Sequence, residues 1–144
     1  MEQQTTGKVT VNAAIENLGD LMDADRGRMP NDQVRRINVT DALIDTGAST
    51  LMLPRRFIRQ LGLTHVRDRP ARTFAGTVTI PFYGTVRLTI QGRHCTVDVG
   101  EIRHELPVLI GQVPLELMDW VVDPNGQRLI GNPEHGGEQM IDVF

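Results

Sequence analysis

A single carboxylate, Asp45, stands where the aliphatic run Ala42-Leu43-Ile44 gives way to a Thr46-Gly47 turn, and Ala48-Ser49-Thr50 leads on into Leu51-Met52-Leu53-Pro54. Removing an ionised carboxylate from water without partners is costly, or shifts its pKa strongly. An Asp carried out of a buried run into a glycine turn is therefore expected either to cap its own backbone as an Asx-type turn or to do chemistry. That chemistry would be proton transfer: one carboxylate to deprotonate water, and one carboxylic acid to polarise a carbonyl. Two carboxyls ~3 Å apart cannot both ionise, so they share a proton and titrate as a pair. This chain has one Asp-[Ser/Thr]-Gly; Asp25-Arg26-Gly27 and Asp123-Pro124-Asn125-Gly126 lack the pattern. A two-carboxylate site would thus need Asp45 of a second copy, in an isologous two-fold dimer.

Other reactive side chains offer less. His65, His94, His104 and His135 include no pair with the spacing of a helical metal site, and they are read as surface or structural histidines. Cys95 is alone, which excludes an intrachain disulfide or a cysteine zinc cluster and fits a reducing compartment. Neither Ser49 nor Cys95 has an elbow motif or a basic partner close in sequence, so neither is taken as a nucleophile. Asp98, Glu101, Glu105 and Asp119 are read as solvated charges. No metal and no cofactor are expected.

The elements that must position Asp45 are mostly strands. Residues 8–17 and 33–39 alternate with a period of two, and Asp41 separates the second run from the approach to the turn. Residues 18–32 combine turn chemistry with Leu21-Met22, which could continue into a strand. Pro54 to Leu63 predicts a helix of about two turns, with proline at its start, Gly62 past its end, and Phe57, Ile58 and Leu61 on one face. Thr73–Ile80 and Tyr83–Ile90 flank Pro81-Phe82, and His94–Val99 follows Gln91-Gly92-Arg93, which suggests an antiparallel meander. Gly76 and Gly84 mark bulges, tips or simple bends. Leu106–Gly111 predicts a short apolar strand ending in glycine, and Val113–Met118 a helical turn. The Pro124-Asn125-Gly126 step predicts a hairpin. The fold class is mainly β, with one or two short helices.

Composition agrees with one soluble globular domain: 144 residues, 40% hydrophobic, 23% charged and a net charge of −3. Aromatics are scarce, so Val, Leu, Ile and Met must build the core. Fourteen arginines against Lys8 form no block suited to nucleic acid. No apolar run approaches the ~18 residues of a membrane span, and Met1 to Thr6 has no leader character. A cytoplasmic protein without nucleic-acid or membrane partners is expected.

With its two preceding aliphatics, the Leu-x-Leu-Pro run into a helix, and the later aliphatic-aliphatic-Gly of Leu109-Ile110-Gly111, the Asp45-Thr46-Gly47 turn resembles that of the retropepsin-like aspartic proteases, specifically their small single-domain bacterial-type members. The resemblance runs from Lys8 to about Pro133, with residues 18–32 poorly matched. It implies a closed β-barrel or sandwich forming one lobe per chain, 1–144 as a single domain with a core of about 8–133. It implies a homodimer that hydrolyses extended peptides or proteins without cofactor, Asp45 being catalytic. Thr46 would hydrogen-bond across the dimer axis, and Gly47 would bring its N–H to the carboxylates. Ala48 replaces a Ser or Thr of some members, and losing that hydroxyl predicts activity at weakly rather than strongly acidic pH. Leu109, Ile110 and Gly111 would brace the turn. A hairpin within 73–91 would be the flap, with its substrate-contacting tip at Phe74, Ala75, Gly76 and Thr77 in preference to Ile80–Gly84. The tail 134–144 would pair at a dimer interface or sheet edge. A silent dimerisation or peptide-binding module, and a processing enzyme acting on one partner only, are the competing readings.

Overall fold

The computed structural model describes residues 8–123 and 125–143. The leader reading on Met1–Thr6, and Pro124 and Phe144, lie outside them.

Alternation decides the first strand. In β1 (Val9–Asn17), Val9, Val11, Ala13 and Ile15 turn inward while Thr10 and Asn12 face out. It runs antiparallel to β2 (Arg36–Ile44), from Val9 opposite Ile44 to Glu16 opposite Arg36. β2 takes in Asp41 through a β-bulge, in which the exposed Thr40 and Asp41 together lie opposite Asn12 of β1. The chain then makes the 45–50 turn and enters β3 (Leu51–Pro54) and helix α2 (Arg55–Gln60). Ile58 and Leu61 are buried, and Gly62 closes the helix at φ +63°.

Helix α1 (Leu18–Asp25) overturns the expectation that Leu21-Met22 continue a strand. The Asn17 side chain caps it, accepting from the Asp20 N–H at 3.0 Å while donating to the Leu61 carbonyl at 2.7 Å. Asp20 is fixed by Arg35 through two side-chain contacts of 2.8 and 3.0 Å. That guanidinium holds the Asp20 carboxyl below its usual range. Such support comes from distant residues, so the local pattern did not carry it. The described residues include three α-helices where one or two were expected.

β4 (Thr64–Thr73) and β5 (Gly76–Ile90) form a long hairpin, joined by Phe74-Ala75. Contrary to expectation, Pro81-Phe82 lies inside β5 rather than between two strands, and the other arm is the polar segment 64–73. β4 is a sheet edge, which tolerates both its charges and Pro70. β6 (Arg93–Ile102) pairs with β5 from Ile90 opposite Arg93 to Phe82 opposite Gly100. Residues 76–81 of β5 have β4 alone as partner, so 68–73 and 76–81 make a two-stranded ribbon that overhangs the sheet.

After β6 come β7 (Leu109–Ile110), helix α3 (Gln112–Leu117), and the hairpin of β8 (Trp120–Asp123) and β9 (Arg128–Gly131). The seven-stranded sheet has the order β1-β2-β7-β3-β6-β5-β4, and β1 also pairs with β5, from Ala14 opposite Thr89 to Asn17 opposite Val86. That second pairing curls the sheet onto itself. Ile15, Leu51, Leu53, Leu88, Ile90 and Met118 fill the interior, and none of the largest fully buried side chains is aromatic. Glu16 ties the closure, contacting Arg36 of β2 at 3.1 Å and Arg87 of β5 at 3.0 Å.

The segment after β9 is held by Asp119. This residue was read as a solvated charge, yet it is buried, and its carboxylate meets His135 Nδ1 at 2.6 Å, Asn132 Nδ2 at 3.2 Å and the Met140 N–H at 3.1 Å. His135 Nε2 lies 3.1 Å from Asp142 Oδ1. Residues 139–143 form no strand within this chain, and Met140, Ile141 and Val143 are exposed.

Candidate active site

Asp45 is half-buried at the end of β2, in a turn whose shape is set by main-chain hydrogen bonds. The strand before it is locked to β7: Leu43 and Ile44 run parallel to Leu109 and Ile110. The Leu43 N–H donates to the Val108 carbonyl at 2.8 Å, and the Asp45 N–H to that of Ile110 at 2.9 Å. On its other side β7 runs antiparallel to β3, with Leu51 opposite Ile110. The two strands flanking the turn are therefore held apart by a third strand threaded between them.

Inside the turn, the Gly47 N–H donates to Asp45 Oδ1 at 3.0 Å and the Ala48 N–H to the Asp45 carbonyl at 3.0 Å. The first bond is the Asx-type turn expected of Asp45 on structural grounds alone. It also fixes one carboxylate oxygen and leaves the other side of the group facing solvent. The far limb is tied to α3, since the N–H groups of Gly111, Gln112 and Val113 donate to the carbonyls of Thr50, Ala48 and Ser49 at 2.9–3.0 Å. A Cβ at Gly111 would lie 2.5 Å from both the Ala48 and Thr50 oxygens. Only glycine lets β7 pass this close.

Of the residues singled out in sequence, Asp45, Thr46, Gly47 and Ala48 form the turn, while Leu109, Ile110 and Gly111 lie directly behind it. Thr46 is exposed, and its hydroxyl makes no hydrogen bond among the described residues. Phe74 and Ala75 make the tip of the ribbon, where the Thr73 hydroxyl donates to the Gly76 carbonyl at 2.8 Å. Gly76, at φ +113°, and Thr77 begin β5. Phe74 is fully exposed.

Between ribbon and turn lies a cleft of about 330 Å³. Gly47, Ala48 and Ser49 line it from the turn, Met52, Ile102 and Leu109 from the sheet, and Arg69, Arg72, Ile80 and Phe82 from the ribbon, while Asp45 is not among the lining residues. Sequence reasoning missed Met52, Ile102 and Arg69. The signal for Arg69 was the pairing of 64–73 with β5, which the polar sequence of that arm concealed. A groove of about 500 Å³ beside α1 shares no residue with the turn. Cys95 is buried, which pushes its thiol up to about 11 and removes it as a nucleophile. Among the described residues no cluster of His, Cys, Asp and Glu could hold a metal, and no helix is long and apolar enough to cross a membrane.

No curated protein matches the sequence. Among solved structures, the EIAV protease complexed with the inhibitor HBY-793 aligns with 98% of this chain and 100% of its own, at 15% identity and a TM-score of 0.48. That likeness is distant. The family model described as "gag-polyprotein putative aspartyl protease" matches residues 35–117, which contain the Asp45 turn, the ribbon and the β7 brace. The chain belongs to this family of retropepsin-like aspartyl proteases.

Proposed function

We propose that the chain is an aspartic endopeptidase that works as a homodimer on extended polypeptides. The observation that carries this reading is Asp45 itself. Its carboxylate is positioned by the Gly47 N–H in a turn braced from behind by β7, and the following residues of that turn, Gly47, Ala48 and Ser49, line a cleft roofed by the ribbon. One such turn per chain is half of a two-carboxylate centre, so the partner subunit's Asp45 completes it about a two-fold axis.

In that arrangement the two carboxyls share one proton. The ionised carboxylate takes a proton from water as the oxygen attacks the scissile carbonyl, and the carboxylic acid donates to the carbonyl oxygen. Proton transfer to the leaving nitrogen then releases two peptides. Gly47 keeps the carboxylate in its plane, and Thr46, exposed and without a hydrogen-bond partner among the described residues, is free to bond across the axis. The ribbon lends backbone hydrogen bonds to a substrate strand and excludes water as it closes, with Phe74 to Thr77 at or near its tip. No cofactor takes part.

The test is cleavage of a mixed peptide library near pH 5 by the wild type and by Asp45→Asn, with the oligomeric state measured in parallel. Wild-type cleavage that falls at least a thousandfold in the variant, from a dimeric species, is expected. Cleavage that persists in Asp45→Asn would sink the reading.

A further inference from the structure

Charge in the cleft is one-sided. None of its lining residues is a carboxylate, and arginine supplies all of its charge. Cross-strand register places Arg67 opposite Phe82 and Arg69 opposite Ile80, so both arginines share the face that turns inward with the buried Phe82 ring. Their guanidinium carbons lie 5.9 and 5.5 Å from the centre of that ring. Arg67 is partly neutralised by Asp98 at 3.6 Å. Arg69 has no carboxylate within ion-pair distance among the described residues, because its neighbour Asp68 faces the other way and pairs with His65.

Arg72 lines the cleft as well, but it lies opposite Thr77, on the alternate face of β4. Arg69 is the lining arginine that sits over the Phe82 ring. A guanidinium lodged on an aromatic ring has lost part of its rotamer freedom and keeps its N–H fork available for bidentate bonding to a carboxylate. An extended peptide between ribbon and turn would alternate its side chains toward the two walls, bringing every second one to the ribbon's inner face.

We infer that Arg69 is a specificity residue that receives an Asp or Glu side chain of the peptide, making acidic segments the preferred substrate class. This rests on the reading of the Asp45 turn as a hydrolytic centre.

Terminally blocked short peptides remove the chain-end carboxylate as a source of charge. Three pools of identical randomised composition, carrying Glu, Gln or Lys as the one varied residue type, are compared in two assays. The first is cleavage by the full chain, and the second is binding to Asp45→Asn followed by fluorescence anisotropy. The Glu pool should exceed the Lys pool by about tenfold in both at low ionic strength, with the gap narrowing as salt is added. The preference should vanish in Arg69→Gln and invert in Arg69→Glu. It should persist in Arg59→Gln, which removes the same charge from the exposed side of α2. Equal handling of the Glu and Lys pools by the wild type, or a Glu preference that survives Arg69→Glu, overturns the assignment. No cleavage, but an Arg69-dependent Glu preference in binding, would remove the hydrolytic reading and leave the acid-binding role standing. Cleavage without preference would do the reverse.

Discussion

The main-chain N–H of Asp45 is bonded to the carbonyl of Ile110 at 2.9 Å, and the next residue, Gly111, sits against the carbonyls of Ala48 and Thr50. The catalytic candidate and its brace are thus joined through backbone, with no side chain that could adapt between them.

Gly111→Ala should therefore be severe. The added methyl lands on main-chain oxygens that cannot rotate away, so β7 or the turn must move. A loss of about 2–3 kcal/mol in denaturant unfolding is expected, together with near-complete loss of cleavage. Gly47→Ala is the informative comparison. Its Cβ would stand 3.2 Å from Asp45 Oδ1 on an exposed turn, so stability should change little while activity falls.

Ala48→Ser should shift activity toward acid. The residue follows Gly47 in the turn and donates its N–H to the Asp45 carbonyl at 3.0 Å. A hydroxyl there that bonds the ionised carboxylate stabilises its charged form. The acidic limb of the kcat/KM profile should move down by about half a pH unit or more.

Phe74→Ser separates stability from function. The ring is fully exposed at the ribbon tip, so unfolding should change by no more than about 0.5 kcal/mol. If the closed ribbon buries the ring on a substrate or on the partner subunit, kcat/KM should fall by about tenfold. Unchanged kcat/KM would mean that the tip makes no productive contact.

The anchoring of residues 136–143 should depend on pH in both directions. The hydrogen bond it donates to Asp119, followed by that to Asp142, raises His135 above its ordinary 6.5, so its contribution is complete below 6.5 and disappears as pH rises through the raised value. The bond from His135 holds Asp119 below its ordinary 3.8, so that contribution is complete above 3.8 and disappears as pH falls through the lowered value. Protection of the Met140 amide against exchange, corrected for intrinsic rate, should be greatest between the two. His135→Gln should abolish the alkaline limb.

What could be read in the sequence was what its residues decide locally. A carboxylate beside Gly47, Pro54 before a helix and Gly62 after it, and the Asn125-Gly126 step each act over a few residues, and each element was found where that chemistry put it. Helix α1 was missed because Arg35 and Leu61, far along the chain, complete it. β4 was missed because its nearly all-exposed residues carry no apolar alternation, and only β5 makes it a strand. Asp119 looked like any surface acid until the fold set His135 against it. Arg69 looked like one of many arginines for the same reason.

The strand threaded between β2 and β3 also imposes an order of events. A nascent chain that has emerged only as far as β6 already carries Asp45, Gly47 and the ribbon, yet lacks the Ile110 carbonyl and the Gly111 N–H that give the turn its shape. Contacts so distant in sequence form late, because closing the intervening loop costs entropy before any bond repays it. The proposed peptide-cleaving competence would then wait for β7, and copies whose synthesis has not yet passed that strand would be harmless to their neighbours.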